Sequence, residues 1–152
     1  MTHNYHLVSL KMLANIYQTG EGLSFVSESH IGSQIIEFCE YSLQSASPKT
    51  RYTAGVVVFN HMLTLKEDQK GLSGSLLSFL RAVTENIDRL AEDTESMLAI
   101  ILAETRILYK NPSIQEKIGG IKDKIIAAHK SLQQKTSDQT VKEAVGDLLL
   151  LL

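Results

Sequence analysis

Residues 47–65 read SPKTRYTAGVVVFNHMLTL, and this stretch decides whether the chain is helical or contains a buried strand. Its centre, Val56 to Phe59, consists of residue types that favour strands, so a strand is the competing interpretation. Ser47 followed by Pro48 is a favourable start for a helix, however, and no hairpin signal flanks the run. We therefore expect a helix from about Pro48 to Leu65.

Apolar residues recur at helical spacing over most of the remaining chain as well. Leu7, Leu10, Ala14 and Tyr17, for example, fall on one face of a helix. We expect helices over about 4–18, 31–45, 48–65, 72–90, 94–110, 121–133 and from 138 onward, with short helical pieces around 23–26 and 114–118 and a polar turn at 66–70. The sequence therefore predicts an all-α fold.

A period of 45 residues runs through these helices. It relates Asn15, Asn60 and Thr105, and it relates three apolar series in the second helices: Ile31, Leu76 and Ile121; Ile35, Leu80 and Ile125; Phe38, Val83 and Ala128. Chance agreement is the alternative, because amphipathic helices in general place apolar residues at three- and four-residue steps. Units of roughly 40–47 residues with two or three helices are typical of armadillo and HEAT solenoids. We expect residues 1–152 to form one all-α, armadillo/HEAT-like solenoid domain of about three such repeats.

The third helix of each armadillo repeat lines the concave side of the solenoid. By that likeness, one groove would contain the residues at equivalent steps: Lys11, Asn15, Val56, Asn60, Ile101 and Thr105. An Asn side chain offers a donor and an acceptor side by side, which suits the backbone of an extended peptide. A lone helical Asn is as often a polar residue satisfied within its own chain, and both interpretations stay open.

The chain lacks the residue patterns of a catalytic or metal site. Its five histidines have neither the spacing of metal ligands nor a neighbouring Cys/Asp cluster, and no glycine-rich phosphate-binding motif occurs. The single cysteine, Cys39, lies on an apolar helical stripe, which predicts a buried packing thiol. We therefore expect no catalytic residue, no metal, no cofactor and no enzymatic activity.

Charge is distributed unevenly along a chain whose formal net charge is only -2. Residues 106–135 hold seven Lys and Arg against two acidic residues, whereas residues 85–104 are mainly acidic. A basic end can attract an acidic peptide or a nucleic acid, but it has no interleaved aromatics for base stacking, which favours the peptide. An ordinary solvated helix face is the third interpretation.

The beginning of the sequence and its cysteine content bear on location. The first residues lack the order of a signal or transit peptide, and no apolar run is long enough to span a bilayer. A single cysteine is typical of a reducing compartment. We expect a cytoplasmic or nuclear protein that does not enter a membrane.

Four segments of the chain resemble one known module. They are LKMLANIY at 10–17, the loop with Gly20 and Gly22, SPKTR at 47–51 and AGVVVFN at 54–60. Together they resemble the PUL domain, which is shared by phospholipase-activating protein and its fungal ubiquitin-fusion-degradation relatives. The likeness covers nearly the whole chain and corresponds to the later part of a longer family domain.

The resemblance implies an armadillo-like, non-enzymatic adaptor in ubiquitin-dependent protein handling. Family members hold the acidic, aromatic-containing C-terminal tail of the hexameric AAA+ ATPase valosin-containing protein in a basic groove. Asn60 matches the helix Asn of the family, and Lys11 and Asn15 match the preceding groove helix. With neighbouring positions, the predicted partner-binding residues are Lys11, Asn15, Arg51, Val56, Asn60, Thr105, Arg106, Tyr109 and Lys110.

Leu98 stands where many members of the family carry an Arg early in the penultimate groove helix. Loss of this cation would weaken pairing with a carboxylate or a phosphate. Either Lys110, Arg106 or Arg51 replaces it, or the chain binds another partner. A structural solenoid segment that binds a different protein is the alternative function.

Overall fold

The structure, a computed structural model, describes residues 2–28, 30–65 and 70–152. No strand occurs within these ranges, and none of their helices is long and apolar enough to cross a membrane. The helices are α1 (Thr2–Ile16), α2 (Gly20–Glu28), α3 (Gly32–Ser42), α4 (Pro48–Thr64), α5 (Ser73–Leu90), α6 (Thr94–Lys110), α7 (Pro112–Lys117), α8 (Gly119–Lys135) and α9 (Gln139–Leu149), with a short 3-10 turn at Lys70–Leu72. The prediction of an all-α fold is confirmed. The expected polar turn lies mostly at 66–69, outside the described residues.

The helices form two layers that step along the chain. Helix α4 packs most extensively against α6, and α1 and α9 extend this inner layer by packing against α4 and α6 respectively. Helices α3, α5 and α8 form the outer layer, in which α5 contacts both α3 and α8. The short α2, the 3-10 turn and α7 lead into α3, α5 and α8. Each unit thus has a short, an outer and an inner helix, which confirms the predicted solenoid.

The inner helices α4, α6 and α9 start at side-chain caps that lie one repeat apart. In each, a side-chain oxygen accepts a hydrogen bond from the backbone N–H three residues later. The bonds are Ser47 Oγ to Thr50 N (3.4 Å), Asp93 Oδ2 to Ser96 N (2.8 Å) and Asp138 Oδ1 to Val141 N (2.9 Å). The repeat therefore extends to the helix starts, and these caps fix where each inner helix begins.

The valine-rich run of α4 is helical because neighbouring helices bury it. Ala54, Val57 and Val58 are fully buried. Gly55 lies where α4 crosses α6, and a methyl group there would come within 3.0 Å of the Ala99 carbonyl carbon. Burial of the valines between helices outweighs their strand propensity, and the missing side chain at position 55 allows the close crossing. The predicted helix is confirmed and ends one residue earlier than expected.

The predicted helix boundaries differ from the observed ones by one to three residues at several ends; α3, for example, ends at Ser42 instead of about 45. Glycines also start two helices, since Gly20 and Gly119 are the first residues of α2 and α8. The cost of glycine is small at this position, since the first N–H groups of a helix have no intrahelical partner in any case.

A His–Glu pair is buried between α6 and α8. His129 Nε2 lies 2.8 Å from Glu104 Oε2, its Nδ1 lies 2.9 Å from the backbone oxygen of Ile125, and both side chains are fully buried. Burial alone lowers the pKa of His129, but the Glu104 carboxylate and the Ile125 carbonyl outweigh it, so the pKa is raised above its ordinary value. The pair therefore holds a proton in the core and connects the inner layer to the outer one.

Candidate functional site

Helices α1, α4 and α6 carry a set of solvent-exposed apolar side chains. Scattered exposed apolar residues are ordinary, but a set that shares one side of adjacent helices marks a candidate interaction surface. Within each helix the members are 3, 4, 7 or 11 residues apart, which places them on the same side. This set, here named the inner face, comprises Tyr5, Val8, Met12, Tyr52, Leu63, Leu102 and Tyr109.

A cleft opens between α4 and α6 on this face, with a volume of about 370 Å³. It is lined by Tyr52, Val56 and Phe59 of α4 and by Glu95, Leu98, Ala99 and Leu102 of α6. We call it the α4–α6 cleft. Because Ala99 is also the residue that Gly55 approaches, the close helix crossing sets the spacing of the two walls. A mostly apolar cleft of this size suits an apolar or aromatic side chain of a ligand.

Arg106 places a positive charge beside the α4–α6 cleft. Its guanidinium carbon lies 5.6 Å from the centre of the Phe59 ring, which is within the range of a cation–π contact. The Arg106 side chain stays partly exposed. Phe59 thus holds the guanidinium against the inner face, where an anionic group next to an apolar one would meet both features.

Several predicted groove residues are accessible on α1, α4 and α6. Lys11 and Asn15 are exposed, Asn60 is partly exposed, and Tyr109 and Lys110 lie at the C-terminal end of α6 with at least part of each side chain in solvent. Neither Asn side chain forms a hydrogen bond with another described residue. Their amides are therefore open to water or to a partner.

On α6, the positions one repeat after Val56 and Asn60 are Ile101 and Thr105, and neither presents a free amide. The Thr105 hydroxyl donates to the Ile101 backbone oxygen at 2.8 Å, within its own helix. Ile101 itself is fully buried. The prediction that Ile101 lies in the groove is wrong, because its side of α6 packs into the core. Thr105 is partly exposed and keeps acceptor capacity on its oxygen.

Arg51 is removed from the candidate partner-binding residues by its burial. Only 4% of its surface is exposed, and its Nη1 donates to the backbone oxygens of Ser45 and Ala46 at 2.9 and 3.1 Å. These carbonyls belong to the connection that follows α3, so the guanidinium satisfies backbone acceptors of that connection. Arg51 therefore fixes the connection between α3 and α4, and Arg106 or Lys110 must supply any cation on the inner face.

The cysteine and the possible metal ligands bear on the sequence expectations within the residues that the structure describes. Cys39 is fully buried, and burial raises the pKa of its thiol, which keeps it protonated and unreactive at neutral pH. No group of three or more His, Cys, Asp and Glu residues that could hold a metal ion occurs within the part of the chain that the structure describes.

Sequence reasoning did not single out Tyr52, Phe59 or Leu102 as binding residues. The signal was present, because Tyr52, Val56 and Phe59 form a second apolar stripe on α4, out of phase with the buried Val57. Such a stripe means that a helix has apolar residues on two sides, of which the core covers one.

Comparison with known proteins gives one match. The family model of the PUL domain matches residues 2–147, nearly the whole chain. No curated protein and no solved structure matches the chain.

Proposed function

Because the chain belongs to the PUL domain family, we propose that it is a non-enzymatic adaptor whose inner face binds an acidic, aromatic-containing C-terminal peptide. The PUL domain is a protein-interaction module. The likeness of this chain to the family suggests the tail of the hexameric AAA+ ATPase valosin-containing protein as the partner. The same resemblance places the adaptor in ubiquitin-dependent protein handling. The peptide would lie over the α4–α6 cleft and the adjoining surface of α1.

The pairing of the α4–α6 cleft with Arg106 carries this proposal. The cleft offers apolar walls for one aromatic or aliphatic side chain, and Arg106 offers a cation beside it. A peptide that alternates acidic and aromatic residues fills the apolar cleft and pairs with Arg106 at the same time. A nucleic acid could place only a base and its sugar against the apolar walls. Lys11, which is exposed on α1, and Lys110, which is partly exposed at the end of α6, add positive charge to the same helices.

Leu98 modifies the expectation taken from the family. Since it lines the α4–α6 cleft, the position where many relatives carry an Arg is apolar here. Arg106 lies two helical turns further along α6, is partly exposed, and contacts the ring of Phe59, which lines the cleft. We infer that the ligand's acidic group sits toward the C-terminal end of α6 and its apolar group toward the N-terminal end.

We predict that Arg106→Gln weakens binding of such a peptide about tenfold, because one charge-assisted hydrogen bond is lost. The measurement is fluorescence anisotropy with a labelled acidic peptide that carries one tyrosine near its free C-terminus. Affinity should fall steeply as salt is raised, since the charges are solvent-exposed. Lys130→Gln, which removes an exposed cation from the outer helix α8, is the matched control and should bind as the wild type does.

The peptide itself provides a second arm of this experiment. Replacing its tyrosine by alanine tests the cleft, and replacing its acidic residues by their amides tests Arg106. Absence of binding at low salt, or equal weakening by Arg106→Gln and Lys130→Gln, would contradict the proposal.

A second candidate function rests on the C-terminal end. Leu150 is 86% exposed and stands among the partly exposed Leu149, Leu151 and Leu152. An apolar group of this kind would suit a solenoid segment that packs against a different protein. If Leu150→Lys abolishes partner capture from a lysate and Arg106→Gln does not, the scaffold function replaces the peptide-binding one.

A further inference from the structure

A second and larger cleft opens where α4 ends and α3 begins, and it adjoins the inner face at Leu63. Its volume is about 920 Å³. The walls include Ser24 of α2, Gly32 and Ser33 at the start of α3, His61 near the end of α4, and Lys110 at the end of α6. Its α4 residues come from 61–65, whereas the α4–α6 cleft uses 52–59, so the two clefts lie at different levels of the same helix. We name the larger one the α3 N-terminal cleft.

The start of α3 presents free backbone donors to this cleft. Helix α3 has eleven residues, and no side chain caps its first turn. Its first backbone hydrogen bond is that of the Ile35 N–H to the Ile31 oxygen, so the N–H groups of Gly32 and Ser33 precede the helical bonding pattern. Such groups, together with the helix dipole, attract an anion.

His61 supplies an independent indication from a different helix. Its side chain is only 3% exposed, its Nδ1 lies 2.7 Å from the Tyr17 hydroxyl oxygen, and its Nε2 has no hydrogen-bond partner. Burial raises the pKa of Tyr17, so this hydroxyl keeps its proton and can donate it to Nδ1. The remaining proton of the neutral imidazole is then on Nε2. A buried donor without an acceptor is costly, which points to a ligand that accepts from it.

The two sets of donors converge at Gly32. A methyl group at this position would lie 2.9 Å from His61 Nε2, so any residue other than glycine would press against this nitrogen. Lys110 adds an ammonium group, and no Asp or Glu is among the described residues that line the cleft. The site therefore combines neutral donors from α3 and α4 with a positive charge from α6.

We propose that the α3 N-terminal cleft binds a phosphoryl group through His61 Nε2–H, the Gly32 and Ser33 N–H groups and the Lys110 ammonium. Donors that approach from three helices match the three terminal oxygens of a tetrahedral phosphoryl group better than the two oxygens of a planar carboxylate. The cleft is much larger than phosphate alone, which leaves room for the organic part of a phosphorylated small molecule or residue. The phosphoryl site and the α4–α6 cleft share no lining residue.

Nuclear magnetic resonance of the full chain with inorganic phosphate as the probe tests this site. At pH 7 and constant ionic strength, phosphate should cause saturable shifts of the Gly32 and Ser33 amides and of the His61 side-chain nitrogens. Acetate serves as the carboxylate arm, and sodium chloride as the ionic-strength arm. Shifts that do not saturate, or that acetate and chloride reproduce, overturn the proposal. Repeating the titration with adenosine monophosphate and with phosphoserine identifies which carrier of the phosphoryl group binds more tightly.

Three variants separate binding from folding. Lys110→Gln should weaken phosphate binding about tenfold, because it removes the cation, whereas Lys49→Gln at an exposed position outside the cleft should leave it unchanged. Ser33→Asp places a carboxylate in the first turn of α3, which stabilises the helix but repels phosphate. A folded Ser33→Asp protein that still binds phosphate as the wild type does would overturn the site. If Ser33→Asp weakens phosphate binding but leaves the affinity for the acidic peptide unchanged, the two clefts bind their ligands separately.

Discussion

At the scale of single residues, the buried pair of Glu104 and His129 is the feature with the clearest consequence for stability. A raised pKa means that the folded state keeps the His129 proton at a pH where the unfolded state has lost it. Its contribution is fully present below about pH 6.5 and is lost as the pH rises through the folded-state pKa. His61 affects stability in the opposite direction, because burial lowers its pKa to about 4. Its stabilising contribution is present above about pH 6.5 and is lost as the pH falls toward 4.

We predict that the free energy of unfolding falls as the pH is raised above 6.5, with a slope from His129 of at most about 1.4 kcal/mol per pH unit. Urea denaturation at a series of pH values measures it. In the double variant Glu104→Met/His129→Leu the decrease should disappear, while its stability at pH 6 stays close to that of the wild type, since replacing a whole buried pair by apolar residues is often neutral. A wild-type stability that rises over this pH range would refute the assignment.

At the scale of helices, the crossing of α4 and α6 depends on one missing side chain. An ideal methyl group on Gly55 would lie 3.0 Å from both the Ala99 carbonyl carbon and the Ile100 nitrogen, which are backbone atoms that cannot rotate away. The two helices would have to separate to accept it. Since the same helices form the walls of the α4–α6 cleft, the size of the cleft depends on this contact.

Gly55→Ala should therefore destabilise the protein by about 1–3 kcal/mol through overpacking, despite the better helix propensity of alanine. Gly146→Ala is the matched control, because the corresponding methyl group would meet only Gln133 Nε2 at 3.7 Å and should stabilise α9 by about 0.5–1 kcal/mol. Chemical denaturation of both variants gives the comparison. If the two substitutions change stability in the same direction and by the same amount, Gly55 has no special role at the crossing.

At the scale of the whole molecule, the repeat was predictable from the sequence, whereas the buried polar contacts and the α4–α6 cleft were not. Apolar spacing and the 45-residue period are local properties, so helices and their order followed from them. Burial of Arg51 depends on carbonyls in the preceding connection. The pairing of Glu104 with His129 joins two residues that are 25 positions apart in the sequence and lie on different helices. Glu104 does lie on the apolar stripe of α6, which predicts its burial, but the sequence does not say which partner neutralises it. The α4–α6 cleft likewise needs the spacing of two helices.

Native-state hydrogen exchange should rank the helices by their place in the inner layer. Helices α4 and α6 share the most extensive contact, so their amides should exchange only through global unfolding. Helices α1 and α9 each pack against only one other inner helix and should open at lower free energy, as repeat arrays do at their ends. Equal protection of α1, α4, α6 and α9 would instead indicate a single cooperative unit.

The close crossing at Gly55 also has a mechanical consequence. Where two backbones touch, small rotations between helices are blocked, whereas contacts made through side chains allow them. The contact between α4 and α6 should therefore be the most rigid helix crossing of the inner layer. A ligand that enters the α4–α6 cleft would therefore meet two walls whose spacing the contact at Gly55 has already fixed.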